Sequence, residues 1–411
     1  MTNFLSDAMQ LQKRMVSWRR KLHQNAEIGT VLPKTAAFVE SVLDKIGIEH
    51  CRLTDSGIVA WIGQGNRCIL LRADMDALPG TERSGLPFAC NTGAVHACGH
   101  DIHTSMLLGA AALLHEHCCE LPGRVVFMFQ PGEECMQGAK EMVEAGILDR
   151  FQPQCALAMH VNVNDAPDGH VWIKQNTFNA SSDSFEVLVE GKCGHGAHPH
   201  NAVNPIYAAI QIIQAFTDAT RFEVSPMTPN ILTVCAVQAG DAANVIPESC
   251  LFRGSLRVLD ADVRNQLLER LPSIAAQVGQ SYRCSASFRL LASTPPAAND
   301  PFLSEWARQR LENLLGPERV KSPVMPSMGS EDFSQISSRI PSCYMSIGIH
   351  RAAGCTAPLH NEHIVFDEKN VYLGAAVFAA LASDYLSDTC LPDQLTVSDI
   401  KNRRKDHEKD V

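Results

Sequence analysis

The chain has 411 residues, of which 45% are hydrophobic and 19% are charged, and its formal net charge is −10. This length exceeds the size at which one hydrophobic core usually keeps growing, so two domains are expected, and the composition excludes a disordered or collagen-like chain. The acidic balance argues against a nucleic-acid partner, because affinity for phosphates comes from clustered Lys and Arg. The basic cluster at 401–405 is followed by acids and is interpreted as a solvated tail.

Compartment and redox state follow from two further features. No stretch contains the roughly 20 apolar residues needed to span a bilayer, and the first residues lack a basic segment followed by an apolar one. We therefore expect a cytoplasmic protein with no membrane partner. The 15 cysteines are scattered along the chain, which favours free thiols over a disulfide framework.

The first part of the chain alternates between helical and strand patterns. The predicted elements are helices at 7–22, 34–47 and about 104–117, and buried strands at 57–62, 68–73 and 124–129. This alternation is typical of an α/β layer with a largely parallel sheet. Ligands of such sheets bind at the carboxyl ends of strands. The segments 74–76 and 133–134 follow strands in this way and are candidate site segments.

The pattern changes near Ser181 to alternating strands separated by helices. The predicted elements are strands at 185–190, 231–237 and 250–258, and helices at 205–219 and 261–278. Their order predicts an α+β, ferredoxin-like sandwich of helices on an antiparallel sheet. We place this inserted domain at 181–295, and the catalytic domain at 1–180 and 296–411 with a central strand at 344–348.

Four segments combine acids, histidines and a cysteine. They are RADMD at 72–76, HACGHDIH at 96–103, QPGEE at 130–134 and LHNEH at 359–363. A structural zinc site would need four tight ligands such as paired C-x-x-C units, which the sequence lacks. The mixture of thiolate, imidazole and carboxylate suits a catalytic metal site that keeps a position open for water.

The adjacent Glu133 and Glu134 need different surroundings. Neighbours in an extended chain point in opposite directions, and two like charges held close together repel. If Glu134 coordinates a cation, Glu133 is left to accept a proton from bound water. The alternative is an acidic helix start, because carboxylates favour that end of the helix dipole.

Several motifs in register resemble one enzyme family. They are DMDALP at 74–79, HACGHDIHT at 96–104, QPGEE at 130–134, GHGAHPH at 194–200, NVIP at 244–247, MGSEDF at 328–333 and LHN at 359–361. Together they are similar to the signatures of the bacterial aminoacylase, hippurate hydrolase and plant auxin-conjugate hydrolase family of metal-dependent amidohydrolases. The resemblance extends from about residue 22 to 368.

The resemblance implies two divalent metal ions per chain. The implied ligands are Cys98, which would bridge the ions, and His100, Glu134, His160 and His360. Glu133 would be the general base and acid. Zinc or manganese is the first expectation for such ligands, and cobalt and nickel are also compatible with them.

Further roles are implied for residues outside this set. Asp76 would orient a ligand histidine, although an acidic strand end is the plain alternative. His195 would stabilise the oxyanion, and Asn244 and Arg257 would hold the substrate's carbonyl or carboxylate. His103 is interpreted as a supporting or packing residue. The inserted domain would make a homo-oligomer, as in similar proteins.

The expected activity is hydrolysis of the amide bond of N-acyl or N-aroyl amino acids. Alternatives are a dipeptidase or carboxypeptidase on the same metal centre, a non-catalytic binding protein that retains the fold, and Cys98 acting as a nucleophile. Serine hydrolase and nucleotide motifs are missing from the sequence. The sequence departs from the family pattern at two places. It has Gly132 where many relatives have Ala, and it has Met136 and Gln137 near the position where many relatives have a pair of glycines. The second departure leaves the identity of the substrate open.

Overall fold

The computed structural model describes residues 3–164, 166–323 and 325–388, so the basic cluster at 401–405 lies outside the described residues. The chain divides into two compact units, each with its own core. The first unit comprises Met1–Asn176, Ala298–Val324 and Asp332–Val411, and the second comprises Thr177–Ala297 and Met325–Glu331. None of the described helices combines the length and the apolar character that crossing a bilayer requires.

Helices occur in both units, and several have recognisable ends. The α-helices are α1 (Phe4–Gln24), α2 (Pro33–Ile46), α3 (His100–Glu116), α4 (Gly138–Glu144), α5 (Ile147–Phe151), α6 (Pro205–Phe222), α7 (Ala261–Ser281), α8 (Pro301–Leu315), α9 (Ser334–Ser337) and α10 (Val371–Ser387). For example, α2 begins at a proline and ends before Gly47, whose φ of 91° is the left-handed conformation that terminates helices. The predicted helix at 104–117 begins four residues earlier, at His100.

The seven strands predicted from the sequence are present to within a few residues, and the other strands were not predicted. They are β1 (Glu49–Arg52), β2 (Ile58–Gly63), β3 (Cys68–Asp74), β4 (Leu78–Pro79), β5 (Ala94–Val95), β6 (Arg124–Gln130), β7 (Cys155–Asn162), β8 (Val171–Ile173), β9 (Asn176–Asn179), β10 (Ser182–Glu190), β11 (Gly194–His195), β12 (Asn230–Gln238), β13 (Val245–Ile246), β14 (Ser249–Val258), β15 (Ser285–Thr294), β16 (Ala297–Asn299), β17 (Val320–Lys321) and β18 (Ser342–Gly348).

The first unit is built on an eight-stranded sheet in the order β1-β2-β6-β3-β7-β18-β8-β17. Its central strands β6, β3, β7 and β18 are parallel, the pairs β1–β2, β2–β6 and β18–β8 are antiparallel, and β17 is parallel to β8. Both faces are covered, as parallel sheets require. On β6, Phe127 and Phe129 pack in the core beneath α1, α3 and α10, while Val126 and Met128 face the cluster that includes α4 and α5. This arrangement confirms the predicted α/β class with a mostly parallel sheet.

The second unit is a four-stranded antiparallel sheet in the order β12-β14-β10-β15 with helices α6 and α7. Its strands alternate between buried and less buried residues, which is the pattern of a sheet covered on one face. Phe185, Phe216 and Phe252 lie in its core. Segment Met325–Glu331 belongs to this unit because Ser327 pairs with Asn179 and accepts a hydrogen bond from the Ala180 backbone.

Candidate metal centre

The predicted site segments of the first unit lie at one edge of the sheet. β3 ends at Asp74 and β6 ends at Gln130, and these two residues are paired in register. β7 carries His160 near the same end. Because parallel strands share the direction of their carboxyl ends, the residues that follow β3 and β6 meet the end of β7.

Cys98 lies at the centre of a cluster of imidazoles. Its Sγ is 3.3 Å from Nε2 of His160 and 3.3 Å from Nε2 of His360. The His360 ring nitrogen is in turn 3.5 Å from Oε1 of Glu134. His100 completes the set, with its Nε2 3.9 Å from Oε1 of Glu134 and 3.9 Å from Oε2 of Glu133. The five ligands implied by the sequence therefore converge within the first unit.

Gly99 lets Cys98 and His100 face the same point. Its φ is 91°, a conformation that L side chains rarely adopt, and a Cβ there would lie 2.6 Å from Cγ2 of Val161. The left-handed residue precedes the first residue of α3, His100. A substitution at Gly99 would strain the backbone and push against β7, the strand that carries His160.

Asp76 connects the end of β3 to the turn after β6. Its two carboxylate oxygens accept the backbone N–H groups of Glu133 and Glu134, each at 3.0 Å. Its Oδ1 is also 3.4 Å from Nδ1 of His100. One buried carboxylate thus holds the two adjacent glutamates and the imidazole of His100 together, which is the usual support of a metal-binding histidine.

The tautomer of His160 leaves a lone pair available at the cluster. Nδ1 lies 2.7 Å from the carbonyl oxygen of Val161, and a carbonyl only accepts, so Nδ1 carries the proton. Nε2 is then unprotonated and faces Cys98. Burial, followed by the nearby His103, lowers the pKa of His160 to about 3, so the imidazole is neutral at physiological pH.

His360 reaches the cluster from a strained backbone. Its φ is 61°, which costs a non-glycine residue about 1–2 kcal/mol, and its backbone N–H donates to the Ala97 carbonyl at 2.9 Å. The side chain is 54% exposed, unlike the buried His100. Strain of this kind is commonly found at functional sites. The His360 side of the cluster is open to solvent.

Burial disfavours the charged forms of Cys98, Glu134 and His100, so each charge in this cluster needs a partner of opposite charge. Burial raises the pKa of the Cys98 thiol well above its usual range and also raises the pKa of Glu134. Burial opposes the charged form of His100 as well, but Asp74, Cys98 and Asp76 more than offset it and raise its pKa. A bound cation reverses this balance, since it favours the thiolate and the carboxylate.

These residues fit a pair of divalent cations. Candidate ligand atoms lie within 4.8 Å of one another in the groups Cys98, His100 and His160, and Cys98, Glu134 and His360. Cys98 belongs to both groups. Nε2 of His100 and Oε1 of Glu134 are buried but have no hydrogen-bond partner among the described residues, an arrangement that a cation would satisfy. The mixed sulfur, nitrogen and oxygen donors suit borderline metals.

The other predicted site residues lie in the second unit. His195 is exposed on β11, and its Nδ1 accepts the Ala197 N–H at 3.1 Å, which leaves Nε2 able to donate. Asn244 is beside it, because its carbonyl accepts the Gly196 N–H at 2.8 Å. Arg257 on β14 is elsewhere in this unit.

Arg257 contacts the 328–330 part of the MGSEDF motif within the second unit. Its Nη1 donates to the Met328 carbonyl at 3.2 Å and lies 3.5 Å from Oγ of Ser330. The strand residue and the MGSEDF segment at 328–333 were identified separately in the sequence. Their contact has no signal in either motif.

Sequence reasoning missed a buried polar network in the first unit. Arg72 is 1% exposed and donates to Asp74 at 2.8 Å and to Asp332 at 3.0 Å. Asp332 also accepts hydrogen bonds from Gln130 and from the Ala139 backbone. The available signal was a charged residue inside an otherwise apolar strand, because buried charges require partners.

The chain is similar to known proteins over most of its length. The family model described as peptidase family M20/M25/M40 matches residues 70–384. An IAA-amino acid hydrolase ILR1-like 2 of Arabidopsis thaliana is 34% identical over 383 residues, which cover 91% of this chain and 85% of that protein. An N-acetyl-L-cysteine deacetylase of Bacillus subtilis is 35% identical over 342 residues, covering 82% of this chain and 81% of that protein.

A solved structure is similar over almost the whole chain. It is the YXEP protein of Bacillus subtilis, described as a dinuclear metal binding peptidase from the M20 family. The TM-score is 0.79 with 30% sequence identity, and the match covers 92% of this chain and 99% of that one.

Proposed function

Because the chain belongs to peptidase family M20/M25/M40, we propose that its metal-dependent hydrolysis of amide bonds acts on N-acyl or N-aroyl amino acids. The observation that carries this proposal is the convergence of thiol, imidazole and carboxylate groups on Cys98, with Glu133 beside them. The names of the plant hydrolase and the bacterial deacetylase support the substrate class, since both describe amides of amino acids.

The distances support a proposal of two cation sites. We propose a first cation site made of Cys98, His100 and His160, and a second cation site made of Cys98, Glu134 and His360. Cys98 would be shared as a thiolate. When bound, the two cations polarise the amide carbonyl and make a water molecule acidic enough to be a nucleophile near neutral pH.

Glu133 is proposed to move the proton. Its carboxylate is buried, lies 3.9 Å from Nε2 of His100 and is anchored through the bond from its backbone N–H to Asp76. It would take a proton from the attacking water as the new C–O bond forms. The same proton would pass to the leaving nitrogen as the C–N bond breaks, which gives a carboxylic acid and a free amino acid.

Substrate recognition is assigned to the second unit. His195 has a ring N–H free to donate to the oxyanion, given that its other nitrogen accepts the Ala197 N–H. Asn244 and Arg257 present planar donors suited to a carbonyl or a carboxylate. These three roles are proposals that the chemistry of each side chain supports.

Three finer properties complete the proposal. The donor set favours zinc or manganese, with cobalt and nickel as further possibilities. The second unit is proposed to join copies of the chain into a homo-oligomer, for which it offers β12 as an edge strand with the exposed apolar residues Ile231 and Val237. We propose that the enzyme works in the cytoplasm.

A substrate panel tests the proposed function. The purified enzyme is loaded with Zn²⁺ or Mn²⁺ and assayed on N-acetyl, N-benzoyl and N-indoleacetyl amino acids and on dipeptides with the same C-terminal residue. We expect a higher kcat/KM for at least one acylated series than for the matched dipeptides. A consistent preference for dipeptides would replace the proposal with a peptidase on the same metal centre.

A further inference from the structure

His103 lies between the two strands that support the metal centre. It occupies the first turn of α3, three residues after His100, and its side chain is completely buried. Nδ1 lies 2.6 Å from Oδ1 of Asp74 at the end of β3, and Nε2 lies 2.9 Å from the backbone nitrogen of Val161 on β7. One imidazole therefore links three elements.

The hydrogen bonds fix its tautomer. The Val161 backbone N–H only donates, so Nε2 of His103 accepts, and the ring proton is on Nδ1. Nδ1–H then donates to the Asp74 carboxylate, whose other oxygen accepts from Arg72 at 2.8 Å. Arg72 is held by Asp332 at 3.0 Å. The imidazole thus has a donor end and an acceptor end, each with a defined partner.

His103 lies where the hydrogen-bonded pairing of β3 with β7 ends. β3 and β7 are paired from Ile69 opposite Cys155 to Arg72 opposite Ala158, and the pairing ends there. On its other side, β7 stays paired with β18 up to Asn162. His103 accepts the N–H of Val161 beyond the end of the β3 pairing, where a buried backbone donor would otherwise lack a partner.

This contact bears directly on His160. Val161 follows His160 in the chain, and its carbonyl oxygen accepts the His160 Nδ1–H at 2.7 Å. The His103 and His160 rings are also in contact, with centroids 4.5 Å apart. Holding Val161 therefore holds both the backbone of His160 and the group that orients its ring.

We propose that His103 is a positioning residue that sets the place of His160 and hence the affinity of the first cation site. This proposal rests on the proposed function, because it presumes that His160 binds a cation. Both ring nitrogens of His103 have protein partners, so its role is to position and not to react. Loss of a hydrogen bond that supports a metal-binding histidine typically weakens metal binding about 10–100-fold.

Two conservative variants distinguish the contributions of the two ring nitrogens of His103. In His103→Gln the side-chain oxygen can take the place of Nε2 and accept the Val161 N–H. In His103→Asn the amide nitrogen can take the place of Nδ1 and donate to Asp74, but Val161 loses its acceptor. If His103 acts through Val161, His103→Asn must weaken the first cation site more than His103→Gln does.

Thr104→Val is the matched structural control. Thr104 is the next residue of α3, is also fully buried, and its hydroxyl donates to the Asp74 carbonyl at 2.8 Å. The variant removes a buried hydrogen bond between the same helix and the same strand but leaves Val161 alone. It should destabilise the fold without a selective effect on metal affinity.

The measurement is a titration of the metal-free chain with Zn²⁺ against a competing chelator. In a His360→Gln background only the first cation site is complete, and there we expect His103→Asn to raise the Kd about 10–100-fold. We expect a smaller rise for His103→Gln and less than threefold for Thr104→Val. In a His160→Gln background, His103→Asn should leave the Kd within threefold.

Two results would overturn the proposal in different ways. If His103→Asn changes the Kd no more than Thr104→Val does while the wild-type chain binds two Zn²⁺, His103 has no positioning role. If the wild-type chain binds no Zn²⁺, the metal centre itself is wrong and the role of His103 is lost with it.

Discussion

Glu133 and Glu134 are adjacent in the sequence but have different surroundings. Glu134 places Oε1 3.5 Å from Nε2 of His360, within the cluster around Cys98. Glu133 is 6% exposed, and its Oε2, like Oε1 of Glu134, lies 3.9 Å from Nε2 of His100. Asp76 accepts both backbone N–H groups and so fixes the turn that carries the two side chains. This difference suggests different effects of the same substitution.

Glu133→Gln is expected to keep both cations and lose activity. The amide has the same shape as the carboxylate but cannot accept the proton of water, and a general base typically contributes about 10²–10⁴-fold in rate. Metal content and kcat on the best N-acyl amino acid are measured on the same preparation. A rate within tenfold of the wild type would remove Glu133 from the mechanism.

Glu134→Gln is the matched control for this experiment. It makes the same chemical change one residue later, where the carboxylate is proposed to bind a cation. We expect this variant to bind one divalent ion per chain less tightly. Equal metal content in the two variants would contradict the division of roles between the neighbours.

The sequence predicted which residues form the site better than it predicted the contacts that hold them in place. The family resemblance implied the five residues that converge around Cys98. The contact of His103 with Val161 involves a backbone N–H, which every residue except proline carries, so no motif can reveal it. The left-handed backbone of His360 had no sequence signal either, because such conformations usually favour glycine or asparagine.

Among the helices and strands, α3 carries more residues of the site than the sequence indicated. The predicted helix began near Thr104, whereas the observed helix begins at His100. The helical pattern was read from apolar residues, and the polar first turn of this helix is buried against other polar groups. His100, Asp101 and His103 therefore project from one helical turn.

Asp101 links α3 to α1 through a buried ion cluster. It accepts from Arg19 at 2.7 Å and from His23 at 2.8 Å, and both of these residues lie on α1. His23 also contacts Glu82 at 2.9 Å. Burial opposes protonation of His23, but the hydrogen bonds to Asp101 and Glu82 outweigh it and raise its pKa above the usual 6.5.

This raised pKa predicts a pH dependence of stability. The folded protein holds the His23 proton more tightly than the unfolded chain does, so the stabilisation is complete below about pH 6.5 and is lost as the pH rises through the folded-state pKa. The free energy of unfolding should fall by at most about 1.4 kcal/mol per pH unit in that window. His23→Gln should remove this component.

Urea denaturation of the wild type and His23→Gln from pH 6 to pH 9 measures the effect. The difference between the two proteins cancels the pH dependence that other groups contribute equally. We expect the advantage of the wild type to shrink as the pH rises. A difference that stays constant or grows across the range would show that His23 is not held protonated by this cluster.

For the whole molecule, the fold class was accessible from the sequence. Buried apolar runs such as β3 and β6 alternate with helices in the first unit, and this pattern predicts a parallel sheet covered on both faces. The antiparallel sheet of the second unit was indicated by the order of its alternating strand and helix patterns, and the alternating burial along β10 agrees with it. Segment Met325–Glu331 could not be assigned this way, because its place depends on pairing with Asn179, far away in the sequence.

Removing the metal from the complete enzyme tests the dinuclear mechanism most directly. The chain is stripped with a chelator, its metal content is verified, and hydrolysis of an N-acyl amino acid is followed as Zn²⁺ or Mn²⁺ is added back. We expect no hydrolysis by the metal-free chain and full recovery at two ions per chain. Full activity after verified metal removal would contradict the metal mechanism and favour the Cys98 thiol as the nucleophile.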